Sequence, residues 1–268
     1  MKLGIISDIH EDVVRLKEAI EILEQHACDE IACLGDIVGF SIPHYGFINT
    51  RNAAECISIV RSKCSIVVAG NHDQFAIRKT PTSNPDKLFP ADWYQLPFSE
   101  RKKRGQDKVW LYEDDELETN LSPQDADFLN ELPEFIIKEM DGLTILFSHF
   151  LYPDLTGSRI FFPESARDLV PHFRYMDEES CEISVSGHYH TNGIIWSSPK
   201  RMQFKSFGRH TIEKVPLWLV APSVANGTHD NGLMILDTRA RKVLAIPLKT
   251  RPVTIKQSFF NSILNSRL

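Results

Sequence analysis

Cysteine is sparse and scattered in this sequence. Its five residues, Cys28, Cys33, Cys56, Cys64 and Cys181, are odd in number and none belongs to a Cys-x-x-Cys pair. That argues against a disulfide framework and fits a reducing, cytoplasmic setting, with the cysteines as small core residues. No stretch approaches the ~20 apolar residues of a membrane span. The first apolar run is interrupted by Asp8 and is too short for the apolar segment of a signal peptide. Positive charge is not in excess: 30 Lys and Arg stand against 36 Asp and Glu, a formal net charge of −6. No general affinity for nucleic acid or an anionic membrane follows, and the run Arg101-Lys102-Lys103-Arg104 reads as a solvated loop. There is no internal repeat and no low-complexity tract. What remains is ordinary globular composition, 268 residues with 42% hydrophobic and 25% charged, enough to bury a sizeable core.

Against that background one device recurs five times. An apolar run gives way to Gly or Ser and then to Asp, Asn or His. Leu3-Gly4-Ile5-Ile6 leads to Ser7-Asp8-Ile9-His10, and Ile31 to Leu34 leads to Gly35-Asp36. Ser65 to Val68 precedes Gly70-Asn71-His72-Asp73. Leu143 to Phe147 ends in Ser148-His149, and Ile183 to Ser186 in Gly187-His188-Tyr189-His190. Buried strands that end in carboxylates and imidazoles aim ligands at one point. Because the motifs run from Asp8 to His190, a shared site requires one large domain.

The chain between the motifs reads as α/β. Val13, Leu16, Ile20 and Leu23 recur at helical spacing behind the acids Glu11 and Asp12. With the runs on either side they form a βαβ crossover and a parallel pair. A second helix is expected from about Asn52 to Ser62. Ser122-Pro123-Gln124-Asp125 is a helix start. Met140-Asp141-Gly142 marks a hairpin where pairing turns antiparallel. A helix is expected near Glu164 to Leu169, then short strands at Gly193 to Trp196, Leu217 to Val220, Gly232 to Leu236 and Val243 to Pro247. The segment Gln74 to Leu121 breaks the rhythm with four prolines, aromatics that include Phe89, Trp93, Tyr94, Phe98, Trp110 and Tyr112, and the acidic run Glu113-Asp114-Asp115-Glu116. Loops this long inside compact domains are usually functional. Two readings stand: an inserted cap over the site, or a peripheral packing or dimer element without substrate contact. The tail from 251 to 268 ends in a stretch, Ile255 to Leu268, that reads as a helix.

Asp8, His10, Asp36, Asn71, His149, His188 and His190 form an oxygen and nitrogen donor set without sulfur. Such a set suits Mn, Fe, Zn, Ni or Co. Seven donors exceed one ordinary site. They suit two divalent or trivalent ions sharing a carboxylate, about 3.5–4 Å apart, with Mn or Fe favoured. Unpaired polar groups at buried strand ends are costly, so a purely structural reading of the whole set is hard to sustain.

The ordered motifs resemble the calcineurin-like metallophosphoesterase superfamily, and within it the small single-domain bacterial and archaeal phosphoesterases. The likeness spans about residues 1 to 250. It implies a four-layer αββα sandwich of two mixed sheets flanked by helices, with 74–121 as an insertion. It assigns Asp8, His10, Asp36 and His190 to one metal and Asp36, Asn71, His149 and His188 to the other. His72 becomes the catalytic imidazole, oriented by Asp73; that carboxylate also reads as a helix N-cap. The implied reaction is hydrolysis of a phosphate monoester or diester by a metal-bridging hydroxide, with His72 as general acid. The substrate is a small phosphate ester, a nucleotide being one option. Glu11-Asp12, Phe150 and Ala221-Pro222-Ser223 depart from the usual pattern without removing a ligand. Phe40-Ser41 and Asp73 disfavour the protein phosphatase branch. Two alternatives stand: a catalytically silent interaction module on the same fold, as a retromer subunit is, and a nuclease, which the acidic balance disfavours. His44 and His229 are loop histidines within possible reach of the site. Arg51, Arg78, Arg159 and Arg209 are candidate phosphate clamps.

Overall fold

A computed structural model describes residues 1–84 and 86–254; the helix expected over Ile255 to Leu268 lies outside the described residues. The chain opens with β1 (Lys2–Ile6), α1 (Val13–Gln25), β2 (Glu30–Cys33), β3 (Phe40–Ser41), α2 (Ala53–Lys63), β4 (Ile66–Val67) and α3 (Asn71–Ala76). Next come α4 (Phe98–Gly105), β5 (Glu116–Leu117), α5 (Pro123–Glu131), β6 (Phe135–Met140), β7 (Leu143–Ser148), α6 (Val170–Glu178) and β8 (Ile183–Ser186). The last part is all strand: β9 (Ile194–Ser198), β10 (Arg201–Lys205), β11 (Gly208–Thr211), β12 (Leu217–Val220), β13 (Gly232–Asp237) and β14 (Lys242–Pro247).

Two six-stranded sheets carry the fold, in the orders β11-β14-β13-β1-β2-β4 and β10-β9-β12-β8-β7-β6. Both are mixed. β1, β2 and β4 run parallel, as do β7, β8 and β12, and antiparallel strands flank them. The alternation of strand side chains builds the layers. Leu3 and Ile5 of β1 face Ile145, Phe147, Val185 and Leu219 between the sheets. Ile6 and Cys33 face the opposite way, onto Leu16, Ile20 and Leu23 of α1 and Ile57 and Val60 of α2. On the far side Leu146, Trp218 and Val220 pack on Phe173 and Met176 of α6. The result is the expected four layers, helix, sheet, sheet, helix.

α1 starts where the sequence predicts. Asp12 is its N-cap, accepting from Arg15 N at 3.1 Å, and its carboxylate also takes Asn226 N at 3.0 Å. Three expectations need correction. Arg101 to Arg104 is no solvated loop but part of α4, with Arg101 buried and paired with Glu113. No helix occupies 164–169; Asp168 instead ties Glu164 N and Ser165 N into a turn, and the helix begins at Val170 with Pro171 in its first turn. Pro is preorganised for that position and lacks the N–H that would go unsatisfied there. The strands β10 and β11 were not expected, because Arg-Met-Gln-Phe-Lys and Gly-Arg-His-Thr lack an apolar run. Each sits at the edge of its sheet, where one strand neighbour suffices.

Candidate metal centre

The ligand-bearing corners share a backbone signature. Asp8 (φ 54°), His10 (47°), Asp36 (53°), His188 (67°) and His190 (46°) all adopt left-handed conformations. Each costs about 1 kcal/mol or more for a non-glycine residue, and such outliers gather at functional sites. The strain turns the chain sharply after each strand and points the side chains together. Gly35 (φ +93°) makes the turn before Asp36, where a Cβ would collide with the backbone of Gly70.

The side chains converge from four loops. His190 Nε2 lies 3.0 Å from Asp8 Oδ1 and 3.3 Å from His10 Nε2. His149 Nε2 lies 3.1 Å from Asp36 Oδ2 and 3.2 Å from His188 Nδ1. His10 Nε2 stands 3.8 Å from Asp36 Oδ2, which links the two halves. Donor atoms of Asp8, His10 and His190 lie within 4.8 Å of one another, as do those of Asp36, His149 and His188. Backbone carbonyls fix two rings: His10 Nδ1–H donates to Gly39 O (2.8 Å) and His149 Nδ1–H to Leu34 O (2.7 Å). Both Nε2 lone pairs are thereby presented to the cluster, as second-sphere bonds do at metal sites. His188 is held between Phe150, at 4.5 Å, and Phe162, stacked at 5.5 Å. The departure at Phe150 thus covers a ligand ring.

The donors fit a cation. Asn71 Oδ1 and His188 Nε2 are buried and have no hydrogen-bond partner among the described residues. A buried lone pair left unmatched costs of order 1–3 kcal/mol, and a metal ion would satisfy that of Asn71, while His188 turns its other nitrogen, Nδ1, toward the cluster. Burial alone would raise the Asp36 carboxyl, but the imidazoles of His149 and His72 outweigh it and hold the group well below the usual carboxylate range. Burial holds His188 down near 3, so its ring is neutral and its lone pair available.

A sequence profile of the calcineurin-like phosphoesterase superfamily domain matches residues 1–238. The chain belongs to this superfamily. The structure superposes on a metallophosphoesterase from Sphaerobacter thermophilus with a TM-score of 0.62 at 21% identity, covering 94% of this chain and 90% of that one. It superposes on the hypothetical protein PH1004 from Pyrococcus horikoshii with a TM-score of 0.57 at 14% identity, covering 99% and 93%. Among curated sequences it is 25% identical over 164 residues to the uncharacterized protein MJ0912 of Methanocaldococcus jannaschii, covering 57% of this chain. The match spans about half the length of that relative, 54%. Members of the superfamily typically bind divalent metals and act on phosphate esters.

In this phosphoesterase-superfamily chain the residues around His72 differ from the sequence-based expectation. Asp73 does not orient His72. Its buried carboxylate accepts from the backbone N–H groups of Asp36 (2.8 Å), Ile37 (2.8 Å), Val38 (3.2 Å) and Gly70 (3.0 Å). It therefore clamps the Asp36 turn onto the start of α3. The partner of His72 is Glu116, whose Oε2 lies 2.5 Å from Nδ1. Burial by itself would lower the His72 imidazole, but Glu116 and Asp36 outweigh it and raise it to about 9. Asn71 Nδ2 donates to Tyr112 Oη. The sequence does not single out Glu116 or Tyr112: both lie in the segment 74–121, and no local spacing links them to His72.

A cavity of about 310 Å³ opens over the cluster, reaching Asp36, Asn71, His72, His188 and His190. Trp110, Tyr112 and Phe162 wall one part of it, and His44, Tyr45 and His229 also line it. The loop histidines therefore do reach the site. None of the four arginines is among the described residues lining it. Arg51 pairs with Glu11 at 3.4 Å and Arg159 with Asp86 at 2.6 Å. Among the described residues, no helix is long and apolar enough to cross a membrane.

Proposed function

We propose that this chain is a two-metal phosphoesterase that hydrolyses a phosphate monoester or diester of a small molecule, a nucleotide being one such substrate, in the cytoplasm. The observation that carries this reading is a complete oxygen and nitrogen donor set, with a buried and unmatched Asn71 Oδ1, facing a cavity beside His72. Asp8, His10, Asp36 and His190 would hold one ion, and Asp36, Asn71, His149 and His188 the other, with Mn or Fe as the favoured metals among Mn, Fe, Zn, Ni and Co. When bound, the ions supply a water of lowered pKa and positive charge against the phosphoryl oxygens.

The protein's own groups do the rest. His72, engaged at Nδ1 by Glu116, keeps Nε2 for the leaving oxygen and donates a proton to it as general acid. Trp110, Tyr112 and Phe162 limit water around the ester, which strengthens every charge interaction in the cavity. A volume of about 310 Å³ suits a small ester rather than a duplex, in keeping with the acidic balance. An interaction module has no use for a full donor set aimed into a cavity, so catalysis is favoured over that alternative.

The test is turnover of nitrophenyl phosphate and bis(nitrophenyl) phosphate by chain stripped of metal and reloaded with Mn²⁺, Fe²⁺ or Zn²⁺. Metal-dependent hydrolysis of at least one ester, abolished by Asp36→Asn, is expected. No turnover of either ester with two ions bound per chain would contradict the proposal.

A further inference from the structure

The segment 74–121 engages Asn71 and His72 at two points, both from the stretch between Tyr112 and Leu117. β5 pairs antiparallel with β3, in the register Phe40↔Leu117 and Ser41↔Glu116, and Ile42 N donates to Asp115 O at 2.8 Å. β3 follows directly on the Asp36–Gly39 turn. The ladder therefore fixes β5 to the loop that carries the shared carboxylate. From this strand Glu116 reaches His72 Nδ1 at 2.5 Å, with its side chain only 2% exposed. One turn earlier Tyr112 receives Asn71 Nδ2 and packs its ring 4.4 Å from that of His72. Asn71 and His72 are the first two residues of α3. One short stretch, Tyr112 to Glu116, thus engages both of them.

Resting on the phosphoesterase reading above, we propose that Glu116 is the positioning residue for His72, and that the segment bearing it is an integral wall of the active site. The geometry is specific. The carboxylate accepts from Nδ1–H and so turns Nε2–H, the proton the general acid gives up, toward the substrate. The T-shaped contact with His10, at 4.7 Å and 88°, restrains the ring from the other side. Asp73, the carboxylate nearest in sequence, is committed to four backbone N–H groups and is not offered to the ring. Burial sharpens the arrangement, because an imidazole N–H shut off from water is costly to leave without an acceptor.

Glu116→Gln tests this with two readouts. First, ¹⁵N-histidine NMR of zinc-loaded protein, with His72 assigned by its loss in His72→Ala, reports the Nδ1–H bond to residue 116 whether or not a substrate is known. Wild type is expected to show protonated Nδ1, and the Gln variant a shifted or mixed signal. Second, kcat and KM are compared for an alkyl and a nitrophenyl phosphate ester, with metal content measured on the same samples. Glu116→Gln should keep two ions and its KM, while kcat falls roughly 10- to 100-fold on the alkyl ester and markedly less on the nitrophenyl ester. Glu116→Asp should recover part of the loss and serves as the second variant if the Gln protein does not fold. An unchanged His72 signal would overturn the proposal, as would equal losses on both esters or loss of metal. If wild type turns over neither ester but the NMR signal shifts as expected, the phosphoesterase reading fails while the Glu116–His72 pairing stands.

Discussion

Gly187 sits where β8 ends, and a methyl group there would press on Ser7 Oγ and stand 2.6 Å from Asp8 Oδ2. Asp8 is fully buried and has no room to yield without leaving the cluster. Gly187→Ala should therefore remain folded by circular dichroism yet bind metal at least about tenfold more weakly. Unchanged affinity in a metal titration would show that Asp8 is not a ligand. His72 makes the opposite case, since it is assigned to proton transfer and not to metal. His72→Ala should keep both ions and lose roughly 10²–10⁴-fold in kcat/KM on an alkyl ester. The loss should be markedly smaller on a nitrophenyl ester, whose leaving group departs without a proton. Equal losses would mean that His72 binds the phosphoryl group instead. Tyr112→Phe frees the amide of Asn71 to rotate, so one ion should bind more weakly while the other is retained. Calorimetric metal titration would reveal this, and two unaltered binding steps would argue against Asn71 as a ligand.

At the scale of elements, α6 is attached by a buried histidine that has nothing to do with catalysis. His172 Nδ1 accepts from Tyr152 N at 3.0 Å, and its Nε2–H donates to Ser184 Oγ of β8 at 3.0 Å. Burial depresses its pKa to about 3, against an ordinary value near 6.5. Between those values the unfolded chain binds the extra proton, so stability rises with pH there. The contribution is complete above about pH 6.5 and is lost as pH falls toward 3, at up to about 1.4 kcal/mol per pH unit. The stability difference between wild type and His172→Asn should shrink from pH 7 to pH 5 in urea denaturation. A constant difference would place the effect in packing alone. The helices and core strands were largely legible, because Leu16, Ile20 and Leu23 or Ile145 and Phe147 announce their period directly. β10 and β11 were not, because edge strands with polar sequences owe their form to a neighbour supplied by the fold. The expected helix at 164–169 failed for a local reason, the Asp168 turn and the placement of Pro171.

Across the whole molecule the seven candidate metal donors are legible in the sequence, since each lies within a few residues of the strand that aims it. The environment of His72 is not. Glu116 lies 44 positions further on and reaches the ring through the β3–β5 ladder, a contact that no sequence period encodes. The same holds for Trp110 and Phe162, which belong to separate connections and meet only over the cavity. In the proposed two-metal reading the organising group is Asp36, which lies between the two sets of candidate donors with its turn clamped by Asp73. Crystals of manganese-loaded protein, measured for anomalous scattering at the manganese edge, test that claim most directly. The account predicts two peaks about 3.5–4 Å apart on either side of the Asp36 carboxylate, one near Asp8, His10 and His190 and one near Asn71, His149 and His188. A single peak, or two that do not share Asp36, would contradict it.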